Sequence, residues 1–301
     1  MVKFIDFFRL IRSKNLTLIV LTQFLIRNGL IIPLTGTSAL SKIEFTLLVL
    51  STLFIAAGGY IINDYFDLQV DRLNQRKLII DNTIKRREAI LMHLLLSFFG
   101  VFIGFYLGWK LGHIGLGFVN LFSASALWFY STNFKKSMLS GNILISLLAS
   151  LSLLIIPLYD IIPKPSINSE TAFYIICCYS VFAFITSFIR EVIKDFEDSQ
   201  GDSEMGYTTF AIVYPKFAKI SVQLLALSLI LVLGFISSLQ IINKAHYAAL
   251  YILVLVVIPF IYFLVKSKSA KSKSDYYQLS QIMKLIMLTG ILSILFFTIL
   301  F

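Results

Sequence analysis

Apolar residues fill long stretches of this chain, and short polar segments separate them. Each stretch is close to the roughly 20 residues that an α-helix needs to cross the hydrocarbon core of a bilayer. The pattern predicts an all-α polytopic membrane protein with nine spans, at about 17–34, 44–64, 89–109, 114–132, 141–159, 171–190, 217–240, 246–265 and 279–300. Residues 1–14 mix Phe, Ile and Leu with Arg and Lys, which is typical of an amphipathic helix at the membrane surface.

Composition and charge support the membrane interpretation. Hydrophobic residues make up 58% of the 301 positions, and the mean hydropathy is +0.86, which excludes an ordinary soluble domain. The net charge of +10 does not indicate nucleic-acid binding, because the basic residues lie in short loops between the spans. With the N-terminus inside, twenty Lys and Arg residues fall in inner segments and four in outer ones. The positive-inside rule therefore predicts an integral protein of the cell (inner) membrane whose N-terminus is cytoplasmic.

An acidic cluster ends the second span, with Asn63, Asp64, Asp67 and Asp71. On a helix these four side chains fall within roughly 100° of one face. Carboxylates so close together repel one another unless a cation lies between them. Mg²⁺ prefers oxygen ligands and commonly binds through one or two carboxylates and the phosphate oxygens of a substrate. The spacing therefore indicates a magnesium site for a phosphorylated ligand.

A second acidic cluster follows the sixth span on the same, cytoplasmic side. On a continuous helix Glu191, Asp195, Asp198 and Asp202 lie within roughly 60° of one another, and Lys194 is adjacent. Loop charge and helix-end salt bridging are the alternative explanation, but two similar clusters at span ends favour a functional site. We expect the inner connections at about 65–88 and 191–216 to form short cap helices over a central cavity where both clusters meet.

Two further stretches leave alternatives open. Tyr130 and Lys135 lie on the same side as the acidic clusters, where they fit a substrate-facing tyrosine and a phosphate-binding lysine, or an interfacial aromatic and an orienting charge. Arg27 falls near the middle of the first span, where an unpaired arginine is costly. Either a structural partner or a substrate role would account for it.

Four motifs together resemble those of the UbiA-type membrane prenyltransferases. The two acidic clusters resemble that family's aspartate-rich motifs, Tyr130-Ser131-x-x-x-Lys135 with Gly141-Asn142 resembles the motif between them, and Arg12-x-x-Asn15 resembles the motif before the first span. The resemblance implies one domain over residues 1–301, with about nine helices around a central cavity. It also implies that Mg²⁺ binds an isoprenyl diphosphate, that loss of diphosphate gives an allylic carbocation, and that a lipid-soluble acceptor attacks it.

Residue by residue, the resemblance implies three sets of site residues. The catalytic residues are Asp64, Asp67, Asp71, Asp195, Asp198, Asp202 and Tyr130. The substrate-binding residues are Arg12, Asn15, Asn63, Arg76, Lys77, Lys135 and Lys194. The Mg²⁺ ligands are Asn63, Asp67, Asp71, Asp198 and Asp202.

The sequence departs from the family pattern after each acidic motif. Asn74-Gln75-Arg76-Lys77 lacks the proline common there, so that either basic residue is a candidate for the diphosphate. Tyr207 stands before Thr208 where a lysine is frequent. The form of the second motif most resembles the subgroup that transfers a geranylgeranyl group to geranylgeranylglyceryl phosphate. Prenylation of an aromatic acceptor in quinone-type biosynthesis remains the alternative.

A transporter is the competing interpretation from another class, because paired acidic clusters also form ion paths. Transporters often contain inverted repeats and helices broken near the membrane midplane. Here the acidic clusters end the spans instead of interrupting them, and no convincing inverted repeat is visible. The sequence therefore favours the enzyme.

Overall fold

A computed structural model describes residues 2–74 and 77–296, with side chains from residue 4. Within these ranges the regular secondary structure is helical, and the one β-type contact is an isolated bridge between Ile80 and Ile84. The fourteen α-helices are α1 (Val2–Leu10), α2 (Ser13–Leu25), α3 (Ile32–Thr35), α4 (Lys42–Phe66), α5 (Leu68–Leu73), α6 (Arg86–Lys110), α7 (Gly117–Thr132), α8 (Ser140–Asp160), α9 (Ser169–Glu204), α10 (Phe210–Val213), α11 (Pro215–Ile242), α12 (His246–Ile252), α13 (Ile258–Ser269) and α14 (Lys273–Leu292). The predicted all-α class is confirmed.

Eight helical segments in the described ranges are long and apolar enough to cross a membrane. They are Ser13–Thr35, Lys42–Phe66, Arg86–Lys110, Ile114–Thr132, Ser140–Asp160, Ser169–Glu204, Pro215–Ile242 and His246–Ser269. The ninth predicted span, at about 279–300, overlaps α14, which begins earlier with a polar turn. Its predicted end, residues 297–300, lies outside the described residues.

Two of the spans contain a π-helical turn directly before a proline. Ile26–Ile31 joins α2 to α3 ahead of Pro33, and Leu253–Val257 joins α12 to α13 ahead of Pro259. Proline has no N–H, so Pro259 cannot donate to the carbonyl of Leu255 four residues earlier. The Thr289 hydroxyl of α14 donates to that carbonyl at 2.8 Å. Side chains from neighbouring helices commonly satisfy the backbone groups that a proline frees within a membrane.

The described helices divide into two compact units, and α8 and α9 have residues in both. The first unit comprises Met1–Lys135 and Leu151–Cys177, and the second comprises Lys136–Ser150 and Cys178–Phe301. In the second unit, helices α9, α11, α13 and α14 contribute to one apolar core. The first unit carries the first acidic motif, and the second unit carries the second.

Helices α4, α6 and α7 pack against one another in the first unit. A side chain at Gly100 would meet Ile55 at 2.6 Å, so glycine allows α6 to approach α4 closely. Polar side chains also join these helices: buried Asn120 donates to Ser51 at 2.7 Å and accepts from Tyr159 at 2.9 Å. Small residues and interhelical hydrogen bonds are the usual means of helix association in lipid.

Arg27 forms a buried ion pair with Asp160, the last residue of α8. The Arg27 Nε lies 3.3 Å from the carboxylate, and the guanidinium also donates to the carbonyl of Leu40 at 2.5 Å. The same carboxylate accepts from the Leu40 N–H at 3.0 Å and from the Ser38 hydroxyl at 2.6 Å. Of the two explanations that the sequence leaves open, the structure shows the structural pairing.

The predicted cap helices are found only in part. The first inner connection contains the short helix α5, and the second contains the short helix α10. The second acidic motif, however, lies on α9, which continues as one 36-residue helix to Glu204. The residues of that motif therefore do not form a separate cap helix, because the helical pattern of the sixth span persists through Gly201 into the polar segment.

Candidate active site

The first acidic motif lies where α4 gives way to α5. Helix α4 ends at Phe66, Asp67 is the residue between the two helices, and Asp71 lies within α5. The helical geometry used to place these side chains from the sequence is therefore interrupted at Asp67. The backbone still keeps its helical pairing there, since the Asp67 N–H donates to Asn63 at 3.0 Å and the Asp71 N–H donates to Asp67 at 2.8 Å.

Asp67 is the most buried carboxylate of this motif, with 3% of its surface exposed. It accepts a hydrogen bond from the Asn63 amide at 2.6 Å and is in contact with the ammonium group of Lys135. Burial opposes the charge of Lys135, but the Asp67 carboxylate outweighs it and holds the lysine pKa above its ordinary value, with Tyr130 and Asp71 contributing. The structure thus brings five predicted site residues into one electrostatic cluster.

Arg12 and Asn15 reach the same end of α4 from the start of the chain. Arg12 donates to Asp64 at 2.9 Å, and its guanidinium lies 4.9 Å from the centre of the Tyr60 ring. Burial opposes the charge of Arg12, yet the Asp64 carboxylate keeps its pKa raised. Asn15 donates to the Tyr60 hydroxyl at 3.3 Å. The motif before the first span therefore contacts the first acidic motif directly.

Tyr60 joins this group of residues, although no motif in the sequence contains it. It lies one helical turn before Asp64, and it contacts both Arg12 and Asn15. Residues four apart occupy the same face of a helix, so the spacing from Tyr60 to Asp64 is a signal that could have identified it.

The second acidic motif forms its own polar network in the second unit. Glu191 accepts from Arg190 at 2.7 Å and from Lys194 at 3.4 Å. Asp195 accepts from the Asn142 amide at 2.8 Å. Asn142 belongs to the quoted Gly-Asn motif but was not assigned a role from the sequence. Lys194 therefore lies beside the carboxylates of the second motif, as the sequence predicts, and it forms an ion pair with Glu191.

The last two aspartates of this motif continue along the same helix. Asp202 is buried, with 5% of its surface exposed, and Asp198 is partly buried. After the motif, Thr208 donates through both its N–H and its hydroxyl to the Lys136 carbonyl, at 3.0 and 3.2 Å. The Lys136 ammonium lies 5.7 Å from the centre of the Tyr207 ring.

Not every predicted basic residue joins the first motif. Lys77 lies 3.2 Å from Asp6 of α1, and most of its side chain is exposed. Arg76 lies outside the described residues. Arg12 and Lys135 are both paired with carboxylates of the first motif.

The donors of the first motif suit a hard divalent cation. In the described parts of the chain no three His, Cys, Asp or Glu side chains form a complete metal cage. Mg²⁺ does not require one, because it retains water and takes phosphate oxygens alongside one or two carboxylates. The Oδ1 atom of Asn63 is buried and has no hydrogen-bond partner within the structure described. A buried oxygen left unpaired beside a carboxylate fits a ligand position for such an ion.

Comparisons with known proteins agree on one family. Residues 29–288 match the sequence profile of the UbiA prenyltransferase family. Digeranylgeranylglyceryl phosphate synthase of Pyrococcus horikoshii is 30% identical over 174 residues, which cover 58% of this chain and 57% of that relative. The chain thus spans a little over half the length of that relative.

Solved structures share the fold over nearly the whole chain. A structure of digeranylgeranylglyceryl phosphate synthase superposes with a TM-score of 0.64 at 22% identity and covers 98% of this chain and 99% of its own. A UbiA homologue from Archaeoglobus fulgidus, bound to GPP and Mg²⁺, gives a TM-score of 0.53 at 16% identity, covering 96% and 99% of the two chains. At these identities the likeness concerns the fold.

Proposed function

Because the chain belongs to the UbiA prenyltransferase family, we propose that it transfers a geranylgeranyl group from its diphosphate to geranylgeranylglyceryl phosphate. The resemblance noted in the sequence is confirmed by the family match, and the chain is an integral membrane protein. The observation that carries the proposal is the cluster of Asn63, Asp67 and Lys135, which combines oxygen ligands with a fixed cation.

The first motif supplies the groups that an isoprenyl diphosphate requires. Mg²⁺ held by Asn63, Asp67 and Asp71 would neutralise charge on the leaving diphosphate. Asp198 and Asp202 are the Mg²⁺ ligands that we propose for the second motif. Lys135 and Arg12 are cations already in place at the carboxylates, so they require little reorganisation as negative charge develops. Lys194 and Asp195 add charge and a carboxylate from the second motif.

The proposed reaction breaks the bond between the first prenyl carbon and the diphosphate oxygen, and the bonding electrons leave with the diphosphate. The allylic cation is then attacked by the acceptor hydroxyl, which forms the ether bond and gives its proton to the released diphosphate. Tyr130 is proposed to face the reacting carbon, where its ring would stabilise positive charge. Apolar surroundings exclude the water that would otherwise capture the cation.

The acceptor is proposed from the name of a relative and from the form of the second motif. The relative from P. horikoshii carries the name digeranylgeranylglyceryl phosphate synthase, and the second motif has the form typical of that subgroup. The distribution of Lys and Arg residues supports a cytoplasmic N-terminus and a cytoplasmic active site in the cell membrane. The single domain over residues 1–301 is likewise part of the proposal.

A reconstituted prenyl-transfer assay tests the function. The full chain in liposomes receives Mg²⁺ and labelled geranylgeranyl diphosphate, with geranylgeranylglyceryl phosphate or a hydroxylated aromatic acid in parallel. We expect an ether-lipid product that disappears with a chelator. We also expect Asp67→Asn and Asp198→Asn to abolish turnover while Asp81→Asn, which removes an exposed ion pair, does not.

Three outcomes would redirect the proposal. A prenylated aromatic product would retain prenyl transfer and replace the acceptor. Full activity of Asp67→Asn or Asp198→Asn would contradict the assignment of the two motifs. Ion flux through the liposomes without turnover on either acceptor would support transport instead.

A further inference from the structure

Helix α1 carries a carboxylate on its buried side. Asp6 has 2% of its surface exposed, although it lies in an N-terminal helix that is otherwise typical of a membrane surface. Its oxygens accept from the Thr83 hydroxyl at 2.8 Å, from Lys77 at 3.2 Å and from Arg9 at 3.4 Å. Thr83 and Lys77 belong to the segment between α5 and α6. Asp6 therefore fastens α1 to the polypeptide that follows the first acidic motif.

Apolar packing joins the same elements. Leu10 and Ile11, at the end of α1, share a buried cluster with Ile80 and Ile84 of that segment and with Ile61 of α4. Phe4 and Phe8 lie on the opposite, exposed side of α1, with their ring centres 4.8 Å apart. The helix is thus held on one face by both a polar anchor and an apolar core.

Arg12 follows directly and adopts an unusual backbone conformation. Its φ of 51° and ψ of 55° lie in the left-handed region, which is unfavourable for a residue with a side chain. Such conformations persist where the surrounding structure determines them, and they concentrate at functional sites. Here the turn directs the guanidinium onto Asp64 and over the Tyr60 ring. The position of Arg12 therefore depends on where α1 ends.

We propose that Asp6 is a positioning residue for the first acidic motif. By holding α1 against Lys77 and Thr83, it fixes the turn that places Arg12 on Asp64. Asp6 itself lies outside the site and acts through Arg12. The inference rests on the proposed prenyl transfer for its kinetic consequence, while its structural part, the anchoring of α1, stands without it.

Hydrogen exchange tests the anchoring without any turnover. The N–H groups of Ile11, Arg12 and Asn15 are hydrogen-bonded to Phe7, Arg9 and Arg12 carbonyls in the wild-type structure. Asp6→Asn and Thr83→Val are expected to speed exchange over residues 4–16 and to leave exchange in the rest of the spans unchanged. Asp81→Asn is the matched control, because it removes an ion pair with Arg86 from the same segment and leaves the hydrogen-bond partners of Asp6 in place. Unchanged exchange in both Asp6 and Thr83 variants would overturn the inference.

Steady-state kinetics then test whether Asp6 acts by positioning Arg12. We expect Asp6→Asn to raise KM for geranylgeranyl diphosphate about tenfold, the equivalent of one hydrogen bond to a charged group, with a smaller change in kcat. In an Arg12→Met background Asp6→Asn should leave kcat/KM unchanged and still lower the Tm. Equal losses of kcat/KM in both backgrounds would reduce Asp6 to a purely structural role and contradict positioning. A wild-type protein without turnover would count against the proposed function alone, since the exchange result is independent of it.

Discussion

The ammonium group of Lys135 contacts the carboxylate of Asp67, which precedes it by 68 positions in the chain. One residue comes from the 3₁₀ turn after α7, and the other from the junction of α4 and α5. The pair places a fixed positive charge beside the oxygen atoms proposed to bind the metal. Its proposed role is to stabilise the diphosphate as it leaves, and this role can be measured.

Replacing Lys135 should impair transfer far more than folding. We expect Lys135→Met to lower kcat/KM about 100- to 1,000-fold, the usual cost of losing one preorganised charge-stabilising group. Lys135→Arg keeps the charge and should retain part of the activity. Steady-state assays across geranylgeranyl diphosphate concentrations, with Tm as the folding control, check this. A Met variant with wild-type kcat/KM would exclude the proposed role.

The raised pKa of Lys135 predicts how stability and kcat/KM depend on pH. Its pKa is raised above the ordinary value of 10.5, so the ammonium charge persists throughout the physiological range. The stability that the lysine charge contributes is complete below the ordinary pKa of 10.5 and is lost as pH rises through the higher folded pKa of Lys135. We expect the pH profile of kcat/KM between about 6 and 9 to be the same in shape for wild type and Lys135→Arg. A basic limb within that range that disappears in the Arg variant would contradict the direction of the shift.

Asn63 should control the affinity for Mg²⁺. Its unpartnered Oδ1 is proposed as a ligand, while its amide nitrogen donates to Asp67. We expect Asn63→Leu to raise the Mg²⁺ concentration for half-maximal activity about tenfold or more, as is typical when groups around a metal are removed. Asn63→Asp retains an oxygen and should be affected less. The Mg²⁺-dependent rise in Tm provides a second readout, and an unchanged rise in the Leu variant would argue against ligation.

The buried pair of Arg27 and Asp160 predicts a non-additive effect on stability. Breaking a buried ion pair from one side typically costs about 3–5 kcal/mol, because the remaining charge is left uncompensated. We therefore expect Arg27→Met or Asp160→Leu alone to destabilise strongly, and the double variant to recover much of the loss. SDS-induced unfolding in detergent micelles measures this cycle. Additive losses in the double variant would show that the two charges are stabilised independently.

Low pH should weaken the attachment of α1 to the segment between α5 and α6, because it protonates Asp6. The hydrogen bond from Thr83 is the largest cause of the lowered pKa of Asp6, burial opposes it, and Lys77 adds to the lowering. Because the folded pKa is below the ordinary value of 3.8, the stabilisation is present above that pH and is lost as pH falls through the folded pKa. We expect proteolysis near residue 12 to accelerate below about pH 4 in the wild type. In Asp6→Asn it should be fast already at neutral pH, and a pH-independent wild type would contradict the anchoring.

The sequence predicted the spans and the acidic motifs, because both depend on local patterns. The length of an apolar stretch identifies a membrane helix without knowledge of its neighbours. The spacing of Asp64 and Asp67 is likewise visible within a few residues of sequence. The contact between Arg12 and Asp64 joins positions 52 apart, and it depends on packing that no local pattern encodes. The interruption at Asp67 and the burial of Asp6 were missed for the same reason. The sequence does not show whether water or protein surrounds an aspartate.

The left-handed turn at Arg12 means that one position serves two incompatible demands. A glycine there would relax the backbone, whereas it would remove the guanidinium and the ion pair that it forms with Asp64. Relief of backbone strain alone would favour glycine at position 12, whereas selection for activity would retain Arg12. At position 12, a substitution that relaxes the backbone is expected to lower catalytic activity. A library selected for stability should therefore also be screened in an activity assay.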